Sequence, residues 1–158
     1  MTDRKPPRLV ADERETLQAL LQFQRESLVR KVAGVDEGAA RRAYVTSGTT
    51  LLWLTKHMAR AEALWILHRF AGLEELIADD AVGPEDTLAA AIATYRGVWP
   101  RIDSIVEAAP SLDQPCRDVG DEAQVNLRWV LMHLLEETAR HAGHADVIRE
   151  LIDGQTGR

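Results

Sequence analysis

Hydrophobic residues recur along most of this chain at spacings of three and four positions, the pattern of amphipathic helices. The first such stretch runs from about Asp12 to Ala33 and is followed by Gly34, a typical residue just past a helix end. Its apolar residues are Leu17, Leu20, Leu21, Leu28, Val29 and Val32. A second helix is predicted from about Thr49 to Gly72, with Ser47 or Thr49 as its N-cap.

Two further helices follow the same pattern. The third is predicted from about Asp86 to Ala108, and Pro100 should bend it or divide it in two. The fourth should run from about Glu122 to Asp153, with Gly154 as its terminal cap. No strand-like alternation competes with these helices, so the sequence predicts an all-α four-helix bundle.

Length and composition restrict the classes of protein. At 158 residues the chain is expected to form one domain, 1–158, with residues 1–11 as a flexible N-terminus. A net charge of -6 argues against nucleic acid as a partner. No apolar run of about 18 residues suggests a membrane span. With Cys116 as the lone cysteine and no signal peptide at the N-terminus, we expect a cytoplasmic protein.

The stretch "HLLEETARHAGHADVIRELIDG" puts three histidines on the fourth helix. With Glu137 set at zero, a rotation of about 100° per residue places His141 at about +40°, His144 at about -20° and His133 at about -40°. The apolar stripe covers about +20° to +80° and contains Val130, Leu134, Ala145, Ile148 and Ile152. Glu137 and His141 therefore point inward, and a buried carboxylate needs a partner. The residues predicted to face water are Arg128, Glu136, Arg140, Asp146 and Glu150.

The same rotation places His57 near the centre of the apolar face of the second helix, with His68 three turns further on. Two histidines and a carboxylate form a known zinc-binding set, and the set also suits nickel or non-haem iron. The alternative is that each histidine is an ordinary core residue. His68, His133 and His144 are weaker candidates. Gly143, costly inside a helix, is best explained by close packing of a neighbouring helix.

Nearly the whole chain resembles the DinB superfamily of metal-binding four-helix bundles. The resemblance is carried by "ERETLQALLQFQRESLVRKVAGV", "SGTTLLWLTKHMARAEALWILHRFAG" and "LRWVLMHLLEETARHAGHADVIRELIDG". Within it the chain is most similar to an actinobacterial branch of unknown function, sometimes labelled mini-circle protein. The resemblance implies one metal-binding histidine on the second helix, matching His57, and a pair on the last helix, matching Glu137 and His141.

This sequence departs from the commonest superfamily pattern at two positions. Glu137 stands where many relatives have histidine, although mycothiol-dependent maleylpyruvate isomerases of the superfamily use the same His, Glu, His set. His144 replaces the usual glutamine, which suggests a role as a hydrogen-bonding partner of a ligand. The resemblance further implies a homodimer and a low-molecular-weight thiol as cosubstrate, such as mycothiol, bacillithiol or glutathione.

Several functions are compatible with these features. The leading hypothesis is an S-transferase or isomerase in which a divalent metal, zinc first, activates a small thiol toward an electrophile. The alternatives are a metal-dependent hydrolase and a non-enzymatic metal-binding protein of the stress response. Cys116, in a loop, is interpreted as incidental. The tryptophans Trp53, Trp65, Trp99 and Trp129 either pack in the core, which is favoured, or line a pocket for a sugar-bearing thiol.

Overall fold

The structure, a computed structural model, describes residues 4–74 and 79–156. These residues form five helices and no strand, which confirms the expected all-α class. The helices are α1 (Glu13–Val32), α2 (Glu37–Arg41), α3 (Leu51–Glu62), α4 (Leu88–Ala108) and α5 (Leu127–Asp153). α3 continues directly into a π-helical segment, Ala63–Phe70. The described helices include none with the length and apolar composition that crossing a bilayer requires.

Helix caps explain most of the boundaries. The Asp12 side chain accepts a hydrogen bond from the Glu15 amide at 2.8 Å, and Gly154 ends α5 with a left-handed φ of 71°. The N-cap of α3 is Thr50, so the prediction of Ser47 or Thr49 as the cap was wrong, although Thr49 is the adjacent residue. α5 begins only after Asn126, whose side chain accepts from the Trp129 amide. The predicted start at Glu122 was therefore too early.

The other boundaries differ from the prediction in two places. α4 is capped by Thr87 and is continuous through Pro100, so this proline does not divide the helix. The linker between α1 and α3 contains the short helix α2, which sequence reasoning missed. Asp36 caps it by accepting from the Gly38 amide at 2.9 Å.

The π-helical segment changes the register of the second long helix. Its i to i-5 bonding is seen where the Ala71 amide donates to the Ile66 carbonyl at 2.9 Å. This wider winding turns the chain through a smaller angle per residue than an α-helix does. A rotation of 100° per residue therefore fails beyond Glu62, and His68 has a side chain 40% exposed instead of lying on the apolar face.

Contacts at the helix ends give the relative directions. Arg128 pairs with Glu13 and Lys31 pairs with Asp146, so α1 and α5 run in the same direction. α3 and α5 run in opposite directions, because Trp53 lies beside His141. Further along the same helix pair, Trp65 lies beside Trp129. This antiparallel pair positions the candidate site.

A buried polar network links α1, the end of α3 and α4. The Arg25 guanidinium donates to Glu62 at 2.6 to 3.1 Å, and the Tyr95 hydroxyl donates to the same carboxylate at 2.9 Å. Arg25 also donates to Asp103 at 2.8 Å. Burial raises the pKa of Glu62, although hydrogen bonds from Arg25 and Tyr95 lower it in part. Sequence reasoning missed this network, and it also placed Asp146, the partner of buried Lys31, among simple solvent-facing residues.

Candidate metal centre

The structure brings His57, Glu137 and His141 together between α3 and α5. One potential ligand atom from each residue lies within 4.8 Å of the others. Glu137 Oε1 is 3.1 Å from His141 Nε2 and 3.4 Å from His57 Nε2. The first pair follows from local geometry, because residues four apart lie side by side on a helix. The second pair requires the antiparallel packing of α3 against α5.

The cluster is shielded but not sealed from solvent. The side chains of His57, Glu137 and His141 are 22%, 17% and 11% exposed. Trp53 stacks on the His57 ring at 4.7 Å between centroids and 18° between planes. Arg140 approaches Glu137 only at 3.5 Å and is itself 55% exposed. The exposed guanidinium of Arg140 therefore compensates little of the Glu137 charge, and the cluster remains accessible to a small ion or ligand.

The surroundings favour the metal-binding protonation states. Burial raises the pKa of Glu137, but the contacts with His57 and His141 outweigh it, so this pKa lies below its usual value. Burial lowers the pKa of His141, and Glu137 compensates only in part. Both groups are consequently deprotonated at neutral pH, which is the form in which carboxylate and imidazole bind metal ions.

A fourth residue, Asp80, belongs to the site and was missed by the sequence analysis. Its Oδ2 accepts a hydrogen bond from His57 Nδ1 at 2.8 Å. Asp80 lies in the segment between the π-helical segment and α4, outside any helix. No periodicity places such a residue opposite a helix face, so the sequence offered no signal for this contact.

The remaining histidines occupy different places. His144 is exposed and its Nδ1 lies 3.4 Å from His141 Nδ1, beside the cluster. His133 is sandwiched against Trp65 and Trp129, with centroids 4.9 and 5.0 Å away, and His68 faces Asp118 at 3.7 Å. Neither belongs to the cluster.

The surroundings of Gly143 contradict the expectation that a neighbouring helix packs closely against it. A Cβ built on it meets no atom within 4 Å, and the residue is exposed. No neighbouring helix therefore requires a glycine at this position.

The tryptophans and the cysteine have distinct environments. Trp99 is 7% exposed and packs edge to face against Tyr95. Trp129 is 44% exposed, while Trp53 lies against the candidate ligands. Cys116 is buried, and desolvation raises the pKa of its thiol. A reactive thiolate would need the opposite shift, so the environment of Cys116 does not favour redox chemistry.

Comparisons with known proteins agree with this architecture. A crystal structure of a conserved protein from Enterococcus faecalis superposes with a TM-score of 0.69 over 92% of this chain and 100% of the other. The identity is 16%, so this likeness concerns the fold alone. No curated protein matches the chain. The family model described as mycothiol-S-transferase matches residues 16–154, and the DinB-like protein described here therefore belongs to the mycothiol S-transferase family.

Proposed function

We propose that this protein is a metal-dependent S-transferase that joins a low-molecular-weight thiol, mycothiol first, to an electrophile. The observation that carries the proposal is the convergence of His57, Glu137 and His141, with ligand atoms within 4.8 Å of one another. The family match supports the thiol as the substrate class. Mycothiol-dependent isomerisation is the closest variant of the same chemistry.

The donor set fits a divalent metal ion. Two imidazole nitrogens and one carboxylate oxygen suit zinc and leave a coordination position open, and they also suit nickel or iron. The Glu137 carboxylate is partly buried, and its neighbour Arg140 lies 3.5 Å away with a side chain 55% exposed, so a bound metal ion would compensate the carboxylate charge more fully. When bound, such an ion supplies Lewis acidity that favours the thiolate form of a thiol.

In this proposal the residues of the chain bind the metal ion and orient its ligands. His57, Glu137 and His141 hold the ion, and His144 hydrogen-bonds the other ring nitrogen of His141. In the transfer, the thiol sulfur forms a bond to the electrophilic carbon. The leaving group departs with the electrons of its own bond, and the thiol proton passes to a base or to solvent. A homodimer also belongs to this proposal and rests on family resemblance alone.

Metal analysis of purified protein tests the site. Wild type is expected to hold about one equivalent of metal, while His57→Ala and His141→Ala lose it. His133→Ala is the matched control, because this histidine lies on the same helix outside the cluster. Full metal occupancy in all of these variants would contradict the proposed ligands.

A thiol-dependence assay tests the reaction. Mycothiol and monobromobimane, a small electrophile, are incubated with metal-loaded protein and with His141→Ala. Product that forms faster than in the protein-free reaction, and only when the site is intact, supports transfer. Equal turnover of electrophilic esters without thiol would instead favour a metal-dependent hydrolase.

A further inference from the structure

The His57 ring lies between two carboxylates, one at each ring nitrogen. Nδ1 is 2.8 Å from Asp80 Oδ2, while Nε2 is 3.4 Å from Glu137 Oε1. A neutral imidazole carries a single N–H and can donate to only one of them. The shorter contact assigns this hydrogen to Nδ1. The lone pair of Nε2 is then directed toward Glu137 and His141.

The ring plane is fixed as well as the tautomer. Trp53 covers one face of the imidazole at 4.7 Å in a nearly parallel arrangement. His141 meets the ring edge to face, with centroids 5.0 Å apart. Stacking by itself permits a 180° turn of the ring about the Cβ–Cγ bond, which would exchange Nδ1 with Cδ2 and Nε2 with Cε1. The hydrogen bond to Asp80 distinguishes the two orientations.

The segment that carries Asp80 is tied to the helix that carries His57. Lys56, the residue before His57 on α3, donates to the Ala81 carbonyl and pairs with Asp86 at 2.5 Å. Arg41 donates to the carbonyls of Gly83 at 3.1 Å and Pro84 at 3.0 Å. These anchors hold residues 79–86 against α2 and α3, so Asp80 is presented to His57 from an attached segment.

We infer that Asp80 is a positioning residue that sets the tautomer and ring orientation of His57, so that Nε2 faces the other two candidate ligands. The expected consequence of this positioning is tighter metal binding, and this consequence rests on the proposed function. Carboxylates that accept from the outer nitrogen of a metal-binding histidine typically change metal affinity about 10- to 100-fold. Among the hydrogen bonds of the described residues, Asp80 contacts His57 and neither of the other two candidate ligands.

Two measurements on Asp80→Ala and Asp80→Asn test the inference. The first is ¹⁵N NMR of the imidazoles in metal-free protein at pH 8.5, which reports the tautomer. Wild-type His57 is expected to be the Nδ1–H form and Asp80→Ala a mixture of both forms. The second is the Kd for Zn²⁺, measured by competition with a chromophoric chelator. Asp80→Ala should weaken binding about 10- to 100-fold. Asp80→Asn retains an accepting oxygen and should recover part of both effects.

Asp118→Ala is the matched control, because Asp118 faces His68 outside the cluster. It should leave the His57 tautomer and the Kd for Zn²⁺ unchanged. An unchanged His57 tautomer in Asp80→Ala overturns the inference, whether or not zinc binds. If wild type bound no Zn²⁺ while the tautomer shifted as expected, the metal-dependent function would fail and the role of Asp80 in orienting His57 would stand.

Discussion

Glu62 and Glu137 both lie on inward-facing helix surfaces of this bundle, but the groups around them differ. Glu62 is fully buried and receives both the Arg25 guanidinium and the Tyr95 hydroxyl. Glu137 is 17% exposed, and its nearest partners are the two histidines of the cluster. One carboxylate is neutralised by a cation of the chain itself. The other contacts two histidines, which can bind a cation from solution when they are deprotonated, and an exposed guanidinium, that of Arg140, at 3.5 Å.

This difference separates a structural centre, around Glu62, from the proposed binding centre around Glu137. A guanidinium occupies the space beside Glu62 permanently, so no external ion is needed there. Beside Glu137, burial lowers the pKa of His141, and the cluster is partly open to solvent. The same residue type therefore serves different purposes, and the presence of a buried permanent cation decides which.

The largest expected effect is at the structural centre. Arg25→Ala leaves the Glu62 carboxylate buried without its charge partner and should lower the free energy of unfolding by about 3 to 5 kcal/mol. His57→Ala in the other centre should cost only about 1 kcal/mol, since it removes no permanent charge. Urea denaturation of metal-free protein measures both.

A double variant separates the loss of pairing from the loss of packing. Arg25→Met combined with Glu62→Leu removes both charges and should recover most of the stability lost in Arg25→Ala. If the double variant were as unstable as the single one, the uncompensated carboxylate would not be the cause.

Added zinc should stabilise the protein through the cluster around Glu137 and not through the network around Glu62. At a free concentration about 100 times its Kd, Zn²⁺ is expected to raise the free energy of unfolding of wild type by about 2.7 kcal/mol. His141→Ala should lose this increase, while Tyr95→Phe should keep it because the Tyr95 hydroxyl donates to Glu62 and not to the cluster. Thermal unfolding with and without a chelator makes the comparison. Equal stabilisation of His141→Ala would move the binding site elsewhere.

Acidification should weaken the binding centre in metal-free protein. Because the pKa values of Glu137 and His141 are lowered on folding, the native state binds fewer protons than the unfolded state. The contribution of His141 is then lost as pH falls from about 6.5 through its folded pKa, and that of Glu137 below about 4.5. The pKa of Glu62 is raised, so its own contribution changes with the opposite sign.

Urea titrations between pH 7 and pH 4 measure this dependence. The variant Glu137→Gln with His141→Ala should show a shallower loss of stability on acidification than wild type. An identical slope in the two proteins would show that other groups cause the acid sensitivity.

The smallest expected effect concerns Arg140. It lies 3.5 Å from Glu137 but is 55% exposed, and exposed pairs contribute little. Arg140→Gln should change the free energy of unfolding by less than about 0.5 kcal/mol. It should also leave the Kd for Zn²⁺ nearly unchanged. A large effect on either quantity would mean that Arg140 neutralises Glu137 as Arg25 neutralises Glu62. The contrast between the two carboxylates would then be weaker.

Local rules determined much of this protein from its sequence. Apolar spacing gave the four long helices, and Gly34 and Gly154 marked two of their ends, because such patterns depend on residues within one or two turns. The neighbouring positions of Glu137 and His141 follow from helix geometry in the same way. The inward orientation of His57 was correct because it lies before the π-helical segment, whereas His68 lies within it and was misplaced.

Contacts between distant parts of the chain were decided only by the tertiary structure. Arg25 and Glu62 are 37 residues apart, and His57 and Asp80 are 23 residues apart. Whether two such side chains meet depends on the order and direction in which the helices pack and on how an irregular segment is anchored. Helical periodicity contains neither kind of information. Helical periodicity therefore determined which apolar residues, together with His57, Glu137 and His141, face inward. The packing of α3 and α5 and the anchored segment 79–86 decided which partners they meet there.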